Sequence, residues 1–255
     1  LGRFFADAIA GNLMDTEKEI STLADYMQFI KGLKQRPLSQ RNSGFLYRGQ
    51  ATDTPLIPKI LRLTPLDGDL LNTERELLEE FKRANPLLIN PYQVRDDWDY
   101  LTLGQHYGLP TRFLDWTDNA LAALWFATSS AIAERGQAAH AIVWVFMAEE
   151  RDFLDYNISQ HPFDVTESKL FRPRIIKQRI NNQSGVFSVH STAALQHKQR
   201  FDDMPGFRSK MVKIKVPVSD AATIVEDLHH LGIDAFSIFP ELEGLCAYLQ
   251  WKFFE

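Results

Sequence analysis

The sequence predicts an α+β fold in a single domain, with a helical N-terminal half followed by a mainly antiparallel or mixed sheet. Three observations carry this. Helical apolar spacing recurs at 16–34, 73–84, 98–107 and 119–134, whereas most strand-like runs come later, at 141–147, 185–190, 211–216 and 235–239. The order is helices first, then strands with one helix among them, and not a regular βαβ series. No repeat, low-complexity tract or linker divides the 255 residues. The domain is therefore placed at 41–255, with 1–40 as a helical lead-in.

Each element has a local reason. Ile20, Leu23, Tyr26, Met27 and Ile30 form one helical stripe, ended by the polar "KQRPLSQRNSG". "FLYRGQ" (45–50) reads as the first strand. Thr73 and Glu76 have the spacing of a capping box, which places a helix start at 73. A helix from Trp98 to Tyr107 is stopped by Gly108 and Pro110, and "DWTDN" opens another at 119–134. A helix over 219–231 ends at Gly232.

Composition bounds the function. With 45% hydrophobic residues the chain can bury a large core, and a net charge of -5 opposes a mainly electrostatic nucleic-acid binder. The single Cys246 excludes an internal disulfide and any multi-thiolate metal site. His190 with His197, and the adjacent His229 and His230, lack the spacing that points two imidazoles at one ion, so no metal is expected. Apolar runs such as "AIVWVFMA" are shorter than the ~18 to 20 residues that cross a bilayer, and no signal-peptide pattern opens the chain. A cytoplasmic protein without a membrane partner is expected. Neither "GxxxxGK[ST]" nor "GxGxxG" nor "GxSxG" occurs.

The densest polar cluster is "LGQHYGLPTRFLDWTDNALAALWFA" (103–127). Buried polar groups must be paired, so it is either a structural knot or part of a site. In the first reading Asp115 or Thr117 caps the following helix and Arg112 pairs with Asp115. In the second, His106, Thr111 and Arg112 face a cleft at a helix start, where a phosphate or pyrophosphate is favoured.

Five blocks in order, "FLYRGQ", "ERELLEEFKR" (74–83), the 103–127 block, "QRINNQSGVFSVH" (178–190) and "FPELEGLCAYL" (239–249), resemble the FRG domain family over roughly 45–250. Phe113 stands where that family more often has Leu. The series "YRG", "GVFSVHST" and "ELEG" also resembles, in order, the motifs of the arginine-serine-glutamate ADP-ribosyltransferases. That resemblance implies an ADP-ribosyltransferase-like fold and an enzyme that transfers ADP-ribose from NAD to a macromolecule, protein or nucleic acid, as a toxin or phage-defence effector. Arg48 would clamp the pyrophosphate, Ser188 would orient the nicotinamide ribose, and Glu243 or Glu241 would act as the catalytic carboxylate. On a strand through "FPELEG" the two acids would share one face.

Alternatives remain beside these roles. Arg48 can pair with a core carboxylate such as Glu74, Ser188 can be an ordinary strand hydroxyl, and "PELEG" can be a solvated turn. A non-catalytic nucleotide-, RNA- or protein-binding module would instead stack bases on Tyr47, Tyr107, Trp116 and Phe187 beside Arg48, Arg112 and Arg179.

Overall fold

A computed structural model describes residues 16–35, 44–83, 88–89, 94–134, 138–155, 160–174 and 185–254. Arg179 and the rest of "QRINNQS" lie outside them. A seven-stranded mixed sheet organises the chain, in the order β1 (Glu17–Glu19), β7 (Met211–Pro217), β4 (His140–Ala148), β2 (Gly44–Gln50), β3 (Phe113–Thr117), β6 (Gly185–Val189), β5 (Lys169–Phe171). Helices are interspersed among its strands, so the expected helical N-terminal half is not what forms.

The chain enters on an edge strand, β1 (Glu17–Glu19), where the sequence predicted helix from 16. Its acids explain the difference. β1 pairs in parallel with β7 (Met211–Pro217), setting Glu17 opposite Lys213, and Lys213 and Lys215 both pair with the Glu17 carboxylate. Helix α1 (Leu23–Lys34) starts only at the Thr22 cap, whose hydroxyl accepts from Asp25 N at 3.1 Å. It buries Leu23, Tyr26, Ile30 and Leu33.

β2 (Gly44–Gln50) lies in the centre of the sheet, antiparallel to β4 (His140–Ala148) along its full length. Helix α2 (Leu70–Lys82) begins earlier than Thr73, because Asp69 supplies the cap, accepting from Leu71 N and Asn72 N. Thr73 instead donates to Asp67 and to the Asp69 carbonyl. Helix α3 (Asp97–His106) ends where Gly108 takes φ +88°.

The next element, β3 (Phe113–Thr117), went unforeseen. Both of its faces are packed, so its apolar residues do not alternate with polar ones; Phe113, Leu114 and Trp116 are all buried. It separates Arg112 from α4 (Ala120–Ala133), and Asn119 caps that helix by accepting from Leu121 N and Ala122 N. Neither Asp115 nor Thr117 is the cap, although Thr117 accepts from Asn119 N at 3.0 Å.

β5 (Lys169–Phe171) and β6 (Gly185–Val189) complete the far edge of the sheet. Short helices α5 (Thr192–Gln196) and α6 (Pro205–Arg208) lead into β7, and α7 (Val218–His230) follows it. The predicted strand at 235–239 is helix α8 (Ala235–Ile238), closed by a capping box between Asp234 and Ser237. Helix α9 (Leu242–Phe254) replaces the expected strand through "FPELEG".

One core joins α1, α4 and α7 to β2, β4 and β7 through Tyr26, Ala123, Val143, Ile214 and Ile224. A second lies on the opposite side of the sheet, around Leu46, Trp116, Phe146 and Phe201. A third, mostly aromatic, sets α2 and α3 against β3, β5 and β6 through Leu78, Trp98, Phe113, Phe171 and Phe187.

Between α2 and the β3–β6 end lies a buried ion pair. Arg112 donates from Nε to Glu74 Oε1 at 2.8 Å and from Nη2 to Oε2, with both side chains 1% exposed. Its Nη1 is directed to the Pro162 and His190 carbonyls, each at 3.3 Å. His190 is itself fully buried. Burial pulls its imidazole down to about 4, with the Arg112 guanidinium adding to that shift and a backbone hydrogen bond at Gln199 opposing it.

A pH dependence follows. The unfolded imidazole protonates near pH 6.5 and the folded one only near 4, so the unfolded state holds the extra proton between them. Stability is full above pH 6.5 and falls as the pH drops toward 4, by about 3 kcal/mol from this group. Urea denaturation of His190→Gln between pH 4 and 7 is expected to show a shallower fall than the parent protein; parallel curves would assign the pH dependence to other groups.

Candidate functional site

The sheet splits at its centre. β2 and β3 share a single register pair, Tyr47 with Thr117, whereas β2 pairs with β4 over seven positions and β3 with β6 over five. Beyond that pair the two strands diverge, and a cleft of about 310 Å³ opens between them. Tyr47, Arg48 and Gly49 come from β2, and Asp115, Trp116 and Thr117 from β3. Gln105 and His106 at the end of α3, Ala123 and Phe126 of α4, and Gly185 and Phe187 of β6 complete its lining.

Gly49 lets α4 lie this close. A Cβ there would stand 2.1 Å from the Ala123 carbonyl oxygen and 2.6 Å from Ala127 N.

Arg48 spans the split. Its Nη1 donates to the Asp115 carbonyl at 2.8 Å, satisfying a strand acceptor that has no ladder partner, and lies 3.5 Å from the Asp115 carboxylate. The side chain is 16% exposed, and its Nε is buried without a hydrogen-bond partner. Burial lowers the guanidinium from its ordinary range; the Asp115 carboxylate opposes the shift, and nearby Arg62 adds to it. The Tyr47 hydroxyl is likewise buried without a partner, and burial, helped by Asp118, pushes it up to about 12.

Asp115 is held from a second side. Gln105 Nε2 donates to both carboxylate oxygens at 3.0 Å, and Gln105 Oε1 in turn accepts from the Thr111 hydroxyl. Asp115 is still 59% exposed, in a strand whose other four residues are buried. His106 reaches the cleft with its ring set edge-on to Tyr107 at 4.8 Å.

The predicted site residues therefore separate. Arg48 and His106 line the cleft. Thr111 is buried and touches it only through Gln105, and Arg112 is locked to Glu74. The two expected ion pairs are exchanged: Arg112 takes Glu74 and Arg48 takes Asp115.

Ser188 is fully buried on the other side of β6 from Phe187, where it accepts from Trp116 Nε1 at 3.1 Å. Glu241 and Glu243 are exposed, beside and within the first turn of α9, and neither lines the cleft. At ~100° per residue, helical positions two apart point away from each other, so the shared face of a strand is lost. Gly244 faces no ligand either, because its Cβ position would lie 2.0 Å from the Phe239 carbonyl oxygen.

Sequence reasoning missed Gln105 and gave Asp115 only structural roles. A signal existed for Asp115: it is the one charged residue in "FLDWT". Tyr47, Trp116 and Phe187, named as stacking candidates, do line the cleft, and Tyr107 is an exposed neighbour of His106. Among the described residues no group of three or more His, Cys, Asp or Glu is placed to hold a metal, and no helix is long and apolar enough to cross a membrane.

Fold and cleft together define an α+β protein whose mixed sheet parts around an arginine and a carboxylate. The FRG family matches residues 43–136, and that stretch is an FRG domain. It contributes every cleft residue except Gly185 and Phe187. Comparison with curated proteins and with solved structures gave no match.

Proposed function

We propose that the cleft binds a nucleotide and that the chain is an NAD-dependent, ADP-ribosyltransferase-like enzyme acting on a macromolecular acceptor, protein or nucleic acid. One observation carries the reading: the largely buried Arg48 guanidinium has Nη1 committed to Asp115 and an Nε without a partner, between aromatic walls. A guanidinium edge is the geometry that grips a phosphate, and the half-buried Phe126 offers apolar surface to a base or a nicotinamide ring. A volume of about 310 Å³ suits one ring with its sugar, so the rest of a dinucleotide would lie across the open mouth. Exposed Tyr107 and the neighbouring Arg62 favour such an extension. The expected toxin or phage-defence role and a cytoplasmic location belong to this same reading.

Calorimetric titration with NAD and release of nicotinamide in a cell lysate test it. Arg48→Lys keeps the charge but loses the fork, and is expected to weaken NAD binding by roughly 1 to 3 kcal/mol. Unchanged affinity with a large fall in melting temperature would make Arg48 only a strut between β2 and β3. A non-catalytic binding module is favoured by the position of Glu241 and Glu243 outside the cleft. It predicts NAD or nucleotide binding without release of nicotinamide.

A further inference from the structure

We infer that Asp115 is the catalytic carboxylate of this cleft, the role that the sequence alone assigned to Glu243 or Glu241. The inference rests on the NAD-consuming reading above. Asp115 is the one carboxylate among the residues lining the cleft, and its exposure within an otherwise buried strand leaves it facing the space a ligand would fill.

It is also held in place. Gln105 donates to both oxygens, Thr111 fixes Gln105 from the buried side, and Arg48 holds the Asp115 backbone carbonyl. Three residues, Arg48 of β2, Gln105 of α3 and Thr111 ahead of β3, thus fix the direction of one solvent-facing carboxylate. An ordinary surface aspartate has no such support, whereas preorganised charge is what lowers a barrier. Opposite Asp115 in the β3–β6 register stands Phe187, whose buried ring stacks on Phe171 and so backs the carboxylate with apolar packing.

The step it serves is charge migration. The bond between ribose C1′ and the nicotinamide nitrogen breaks, and its electron pair goes to that nitrogen, so nicotinamide leaves neutral. The positive charge of the pyridinium passes to C1′ and the ribose ring oxygen, where the Asp115 carboxylate stabilises it. A lone pair on the acceptor then forms the new bond to C1′, and the acceptor's proton passes to water. Arg48 keeps the phosphates in place meanwhile, so the two side chains divide binding from chemistry.

Asp115→Asn tests this, because it keeps the shape and an oxygen for Gln105 while removing the charge. NAD affinity by calorimetry is expected to stay within about threefold, and nicotinamide release at saturating NAD to fall by about 100-fold or more. Asp115→Ser, measured in parallel, guards against a folding defect peculiar to the amide, and Asp115→Glu is expected to recover part of the rate. Parent-like release from well-folded Asp115→Asn and Asp115→Ser would overturn the assignment while leaving the NAD reading standing. Lost affinity with an unchanged rate at saturation would overturn it too, by making Asp115 a binding group only. A parent protein that neither binds NAD nor releases nicotinamide would overturn the reading and the assignment together.

Discussion

Replacing Arg112 by Leu is expected to cost about 3 to 5 kcal/mol, one of the two largest stability losses foreseen for this chain. The guanidinium is 1% exposed, and among the described residues it alone is seen to neutralise Glu74, which is equally buried. Removing it leaves a carboxylate in the interior and frees the carbonyls of Pro162 and His190 and the hydroxyl of Thr192 from their shared donor. It also removes the cation from the face of Phe163, 4.7 Å away. For a domain of this size the loss corresponds to roughly 6 to 20 °C in melting temperature. Combining Arg112→Leu with Glu74→Met removes both charges, and the double variant is expected to be more stable than Arg112→Leu alone. Denaturant titration of the single and double variants measures both effects. A loss below about 1 kcal/mol in the single variant would mean that water reaches the pair.

Gly49→Ala is the second. Its new Cβ would meet backbone atoms of α4, the Ala123 carbonyl at 2.1 Å and Ala127 N at 2.6 Å, and neither can rotate aside. Helix and strand must move apart, at an expected cost of about 3 kcal/mol or more. Since Gly49, Ala123 and Phe126 all line the cleft, ligand binding should fail along with stability. Gly44 on the same strand is the control. A Cβ there meets nothing within 4 Å, so Gly44→Ala is expected to be neutral or to stabilise by less than about 1 kcal/mol. Equal melting temperatures for the two variants would contradict the close packing of α4 on β2.

These two positions mark what was legible beforehand and what was not. The strand carrying Arg48 and the helix after Asn119 follow from local pattern: apolar residues bounded by polar turns, and a cap ahead of an apolar run. The FRG blocks pointed to the stretch that supplies most of the cleft. Around 235–249 local pattern misled. Short apolar runs beside Pro and Glu read as strand, yet the Asp234 box closes one helix, and α9 sets Gly244 against α8.

Charge pairing was the least legible feature. Arg112 and Asp115 are neighbours in sequence, but β3 begins between them, and only one of the two side chains opens into the cleft. Their true partners lie 38 residues away for Arg112, at Glu74, and 67 away for Asp115, at Arg48. The sequence by itself determined the α+β class, the absence of an internal disulfide and the FRG character of residues 43–136, whereas the caps of α2, α4 and α8 are set by Asp69, Asn119 and Asp234, none of which it singled out. Only the tertiary structure decided which arginine is locked in the core and which spans the split sheet. An ion pair needs two groups within a few ångströms, and no local propensity encodes a contact that arises only when β2, α2 and β3 pack together.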